Sequence, residues 1–329
     1  MSDFRKLVLI FLLSPALGVA QDGRDPFPQA GAVPMLVGPG IISTGDDEAH
    51  ATLSLDGRTL YFVKGAPSFD FWALAASEWS GGNWQRPQVL PFSGQYSDAD
   101  LVFAPDGYAY FVSSRPVNGV ARTDTEIWRI AFDAAGWGEP QHVAQLGSPG
   151  DEWFPTFTTD GVVYFGSSRE GGQGSQGGHD IWRSRLVDGG FEKPENVGAP
   201  VNTPGEEIEA FVTPDGNGLI VAAKNRGDEL GAYDLYLSRR CEDGNWSEPR
   251  NPGEPVNSYA WEFGPRMSPD GKFVFFTSNR GFAGKPLERA LDFNELEQRI
   301  RKPYNGLRDI YVMDAAALWQ SVAGECAGR

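Results

Sequence analysis

The chain has only two cysteines and three histidines in 329 residues, and both scarcities exclude chemistry. His50, His142 and His179 are too scattered along the sequence to form a recognisable zinc-binding motif. There is no Gly-x-Ser-x-Gly nucleophile elbow and no sialidase-type Asp box. The glycine-rich run 171–178 has no helix pattern after it, so it reads as a flexible loop, not a phosphate cradle. Positive charge is also scarce: 28 Lys and Arg stand against 44 Asp and Glu, a net charge of −16 with a pI near 4.6. Such a surface repels nucleic-acid phosphates and anionic membranes. Beyond the first 20 residues no apolar run is long enough to span a bilayer.

What is present is a β-rich globular composition. Hydrophobic residues make up 40 % and aromatics 12 %, enough for a substantial core, and 41 Gly with 24 Pro indicate many tight turns between short strands. Residues 1–20 have a basic start (Arg5, Lys6), an apolar stretch of about 14 residues and small residues at Gly18 and Ala20. This pattern is that of a cleaved signal peptide, with the mature chain expected from Gln21 and a periplasmic or secreted location. Residues 21–31 read as a linker.

A recurring Asp-Gly turn organises the rest: Asp56-Gly57, Asp106-Gly107, Asp160-Gly161, Asp215-Gly216 and Asp270-Gly271. Spacings of about 50–55 residues between strand-flanked turns mark propeller blades. The expected fold is an all-β, five-bladed β-propeller of four-stranded blades over 32–314, with a tail at 315–329. Strand three of each blade is expected to open at Asp70, Glu126, Asp180, Asp234 and Asp309. Strand four follows a Gly turn near Trp84, Trp137, Phe191 and Trp246. Only four such fourth strands exist, so the segment from Ala32 to Ser43 is expected to supply the missing one and close the ring.

In blade five, Ser268-Pro269-Asp270-Gly271, Ser278-Asn279-Arg280 and Asp309-Ile310-Tyr311 resemble the WD40-like (PD40) repeat of TolB-type propellers, with degraded copies in the other four blades. The resemblance covers nearly all of 32–314 and departs from the six-bladed form best known in that group. It implies a non-enzymatic module that docks partners.

Eight residues before each turn Asp stands an acid (Glu48, Asp98, Glu152, Glu207, Glu262), and eight to eleven after it a base (Lys64, Arg115, Arg169, Arg226, Arg280). Because they recur in every blade, these groups and the strand-three acids are expected to form a structural charge network on one face of the disc. Departures from the repeat are better site candidates: Asp46, Asp47, His50, Asp100, Trp153, Glu206, Glu209, Trp261 and Arg266. The expected ligand-binding face comprises Asp47, His50, Asp98, Trp153, Glu207, Trp261 and Arg266. Carboxylates beside Trp suit a sugar, and paired carboxylates suit Ca²⁺, although no cofactor is required. An insertion in blade five, 282–307, projects from the same face and carries a short amphipathic helix pattern around 291–300. Cys241 and Cys326 fall on the opposite face in adjacent blades, where export would permit a disulfide. By loop entropy it would stabilise the fold by roughly 4 kcal/mol.

Two functions remain in view. The leading expectation is an exported binding module for an envelope or extracellular protein or a glycan. The alternative is a glycoside hydrolase or polysaccharide lyase drawing on Glu48, Asp100, Glu152, Glu209 and Glu262.

Overall fold

The computed structural model describes residues 26–67, 70–134, 136–170, 178–281, 287–322 and 326. The expected leader, residues 21–25 of the linker, the glycine-rich loop at 171–177 and residues 282–286 of the insertion lie outside the described residues.

Five antiparallel sheets form five blades, and the chain is a five-bladed β-propeller. The Asp-Gly turns join strands one and two. Their glycines sit at φ between 71° and 84°, a region that a side chain would strain. In four blades the hydroxyl two residues before the Asp donates to its carboxylate, as in Ser54–Asp56 (2.5 Å) and Ser268–Asp270 (2.7 Å). In blade two Ala104 occupies that position, and Tyr110 donates to Asp106 from the second strand instead (2.7 Å).

The fourth strand is short and split in blades one to three, as in Asn83–Trp84 and Gln88–Val89 of blade one. The cause is the proline after each aromatic (Pro87, Pro140, Pro194), which lacks the N–H a continuous outer strand needs. In blade four the outer edge is reduced to single bridges, Arg240 with Trp246 and Leu237 with Arg250.

Blade five takes its outer strand from the N-terminal segment. Met35–Leu36 pairs antiparallel with Asp309–Asp314, Met35 opposite Val312 and Leu36 opposite Tyr311. The Val37 amide then donates to the Ile310 carbonyl (2.9 Å). Just upstream, Phe27 is buried against Trp84 of blade one and Phe273 and Phe275 of blade five, so the same segment clasps the first blade to the last.

One expected equivalence is corrected. In blades two to five the strand-three acid lies opposite the small residue that also pairs with the recurring acid of strand one, for example Ser113 opposite both Asp98 and Glu126. In blade one that central position is Lys64, which faces Ala73, not Asp70. Asp70 is exposed and precedes the strand, which begins at Trp72. The run Asp70-Phe71-Trp72 mimics the motif three residues too early. Lys64 itself reaches Glu48, whereas the other blades use an Arg placed after the strand.

Within the insertion, helix α1 (Phe293–Ile300) is held by a capping box between Asp292 and Glu295. None of its residues is buried. Helix α2 (Ala315–Ser321) follows the last strand and buries Leu318. Beyond it, Cys326 is disulfide-bonded to Cys241 of blade four.

Because that bond closes a loop with a separation of 85 residues, replacing both cysteines by Ser should lower stability by about 4 kcal/mol on loop entropy alone. Urea denaturation of the oxidised protein and the double variant checks this. A difference under about 1 kcal/mol would mean the tail contributes no constraint.

Candidate functional site

Each innermost strand carries one extra residue relative to its partner, a β-bulge whose register shift lies just after the recurring acid. The residues two positions after the five acids are His50, Asp100, Phe154, Glu209 and Gly264. Four of them hold positive φ: His50 (52°), Asp100 (62°), Phe154 (50°) and Gly264 (63°). For the non-glycine residues this conformation costs on the order of 1–3 kcal/mol each. The bulge turns these five residues toward one another across the central channel.

The result is a buried charge cluster linking all five blades. His50 Nδ1 lies 2.6 Å from Asp100 Oδ1, and Nε2 lies 3.2 Å from Glu209 Oε1. Both contacts are charge-assisted. The second Asp100 oxygen accepts from the Phe154 amide (2.9 Å), and the second Glu209 oxygen accepts from the Gly264 amide (2.6 Å). Arg266 donates to the carbonyls of Pro155 (2.9 Å) and Asp100 (3.3 Å), with its guanidinium 3.9 Å from the centre of the Phe154 ring. Glycine at 264 is required: a Cβ there would lie 2.5 Å from His50 Cδ2.

Burial alone would depress the His50 pKa, but the flanking Asp100 and Glu209 carboxylates outweigh it and raise it to about 10. Burial pushes Asp100 up, yet His50 and Arg266 bring it below the usual carboxylate range. Burial lowers Arg266 to about 10. The cluster thus sets two basic side chains, His50 and Arg266, against two acidic ones, Asp100 and Glu209.

Around it, the recurring acids Glu48, Asp98, Glu152, Glu207 and Glu262 are fully buried. Each pairs with its own blade's cation: Lys64 (2.5 Å), Arg115 (2.9 Å), Arg169 (3.1 Å), Arg226 (3.0 Å) and Arg280 (3.1 Å). In blades two to five the same Arg stacks on the strand-three aromatic, Trp128, Trp182, Tyr236 or Tyr311, at 4.9–5.4 Å. The strand-three acids close the pattern by accepting from neighbouring loops, as Asn196 to Asp180 (2.8 Å), Asn251 to Asp234 (2.7 Å) and Tyr304 N to Asp309 (2.9 Å). Glu126 instead pairs with Arg122 (2.7 Å). Burial dominates here, pushing Glu126, Glu152 and Asp309 up to about 7 despite their partners.

Above the cluster, on the face where these acids lie, opens a cavity of about 560 Å³. His50 and Glu209 reach it from below, and Trp153, Tyr233, Trp261 and Phe263 contribute aromatic surface. Trp261 is 48 % exposed and meets Tyr233 edge-on at 5.7 Å between ring centres. The end of the insertion supplies Gly306 and Leu307, and Arg308 follows directly. Of the seven residues expected on a ligand-binding face, Asp47, His50, Trp153 and Trp261 line this cavity. Asp98 and Glu207 do not, being sealed in their blades' ion pairs, and Arg266 lies within the buried cluster. Tyr233, Phe263, His179 and Asn279 line it without having been expected.

The carboxylates offered for Ca²⁺ are each engaged by a cation: Asp46 by Lys64, Asp47 by Arg308, Glu206 by Lys224 and Glu209 by His50. Among the described residues no group of three or more His, Cys, Asp or Glu is arranged to hold a metal ion. No described helix is long and apolar enough to cross a membrane.

These strand pairings and this channel define the class as a five-bladed β-propeller with an aromatic cavity at one mouth. No protein-family model matches the chain, and no curated protein matches it in sequence. Among solved structures it is similar to TolB from Acinetobacter baumannii, with 15 % identity, 81 % of this chain and 54 % of that one covered, and a TM-score of 0.45. The chain thus spans about half the length of that protein. A GH62 hydrolase in complex with xylotriose shares 13 % identity over 88 % of this chain and 99 % of that one, with a TM-score of 0.46. A luciferin-regenerating enzyme shares 12 % identity over 85 % and 95 %, with a TM-score of 0.44.

His50→Ala should cost about 3–5 kcal/mol, because it leaves Asp100 and Glu209 buried without their shared cation. The sign with pH follows from a folded pKa near 10 against an ordinary value of 6.5. The stabilisation is complete below about pH 6.5 and fades as pH rises toward 10. The stability gap between wild type and His50→Gln should therefore narrow across that window in urea melts; a gap constant to pH 10 contradicts the assignment. Separately, Gly264→Ala should destabilise by about 2 kcal/mol or more, through strain at positive φ and the clash with His50, as read by thermal melting.

Proposed function

We propose that the protein is an exported, non-catalytic binding module of the TolB-type WD40-like (PD40) repeat group, holding its ligand at the aromatic mouth of the propeller channel. Its partner is an envelope or extracellular protein or glycan. The observation that carries this reading is the pairing of an open aromatic cavity with a floor whose ionic groups are already committed to one another. Aromatic surface with a few polar groups is the usual composition of a binding cleft. The signal-peptide pattern at residues 1–20 favours a periplasmic or secreted location.

What weighs against glycoside hydrolysis or lyase chemistry is the state of the acids that would perform it. Glu48, Glu152 and Glu262 are buried against their own Lys or Arg, and Asp100 and Glu209 share His50. Of these five only Glu209 lines the cavity, one oxygen held by His50 and the other by the Gly264 amide, so they offer a substrate no reachable pair of carboxylates.

The test is affinity capture from a bacterial envelope extract, with residues 21–329 as bait beside the Trp153→Ala/Trp261→Ala double variant. Wild type should retain a ligand, protein or glycan, that the double variant loses while its far-ultraviolet circular dichroism and cooperative unfolding show it still folded. Equal retention by both, or none by either, would refute a binding role for this mouth.

A further inference from the structure

The chemistry of the cavity narrows the ligand, and this inference rests on the reading of the mouth as a binding site. We infer that it takes a neutral sugar unit, a pyranose ring with uncharged substituents, stacked on the Trp261–Tyr233 wall.

The first ground is charge. Every ionic group lining the cavity is balanced by a neighbour. Asp47 is gripped by the backbone N–H, Nε and Nη2 of Arg308, and Glu209 is shared with His50. Just behind the wall, Glu206 is held by Lys224 (3.0 Å) and the Tyr233 hydroxyl (2.9 Å). A charged ligand entering here would lose hydration and find no uncompensated counter-charge, which is costly.

The second ground is hydrogen bonding. Asn279 accepts from the Trp261 amide through Oδ1 (2.9 Å), and its half-buried side chain lines the cavity. His179 lines the same cavity, and its Nδ1 is buried with no hydrogen-bond partner, 3.9 Å from the nearest Glu206 oxygen. The wall thus offers a ligand hydroxyl the Asn279 amide, which can donate to it. Sugar hydroxyls both donate and accept. A quaternary ammonium, the other usual guest of an aromatic pocket, does neither.

The third ground is shape. Trp261 and Tyr233 meet at 71°, forming an L whose exposed Trp face can cover the apolar C–H face of a pyranose while the hydroxyl edge points toward Asn279 and His179.

The experiment is tryptophan-fluorescence titration and calorimetry of the mature chain, residues 21–329. The neutral probes are cellotriose, xylotriose, maltotriose and N-acetylated chitotriose, followed by an array of neutral glycans. The charged probes are trigalacturonate, de-acetylated chitotriose and choline. A neutral oligosaccharide should bind and quench, and Trp261→Ala, an exposed position that folding tolerates, should weaken it at least tenfold at unchanged melting temperature. Asn279→Ala should weaken it severalfold. Binding of choline or a charged trisaccharide in preference to every neutral one overturns the inference, as does failure of the whole neutral array. If the capture experiment still shows a mouth-dependent ligand in those cases, the binding role stands and only the neutral-sugar assignment falls. If capture also fails, both fall.

Discussion

Five innermost strands converge on one axis, and whatever charge they carry there has to cancel because water is largely shut out. That constraint shapes the centre of the molecule. His50 from blade one lies between Asp100 of blade two and Glu209 of blade four. Blade three contributes the Phe154 amide and ring, and blade five contributes Arg266 and the gap left by Gly264. Removing one member leaves an opposite charge buried without compensation, which is why the cluster behaves as a unit. The positive-φ bulges that aim these side chains inward carry backbone strain, and the charge contacts offset it.

Around this centre a second charge pattern is repeated five times and has a different role. Each recurring acid meets its own blade's Lys or Arg, and in four blades that Arg also lies over the strand-three aromatic. These pairs tie loops to blades. Their net contribution to stability is modest, since burial pushes Asp98, Glu152 and Glu207 up even beside a partner. The cavity is built from what does not repeat: Trp153, Trp261, Tyr233 and the end of the blade-five insertion. Function can vary at these positions without disturbing the scaffold.

The blades were legible because the evidence for them is local. An Asp-Gly turn, an apolar strand on either side and a proline after the outer aromatic can each be read from adjacent residues, and counting them exposed the missing outer strand. The same locality misled at Asp70-Phe71-Trp72, where composition matched but register did not; Lys64 had taken the central position. The channel cluster left a trace that alignment of the repeats reveals, as the residue two places after each recurring acid. Its character as one interacting group was not visible. Tyr233, His179 and Asn279 carried no such signal, since each lies in an ordinary loop or strand end.

By itself, then, the sequence determined the number of blades, the turns between their strands and the need for a borrowed outer strand, because turn geometry and strand alternation depend on near neighbours. Only the tertiary structure decided which charges neutralise one another and which aromatics share a wall. Those contacts join residues up to 261 positions apart, as Asp47 and Arg308 are, and their partners are set by how five bulged strands meet around a common axis.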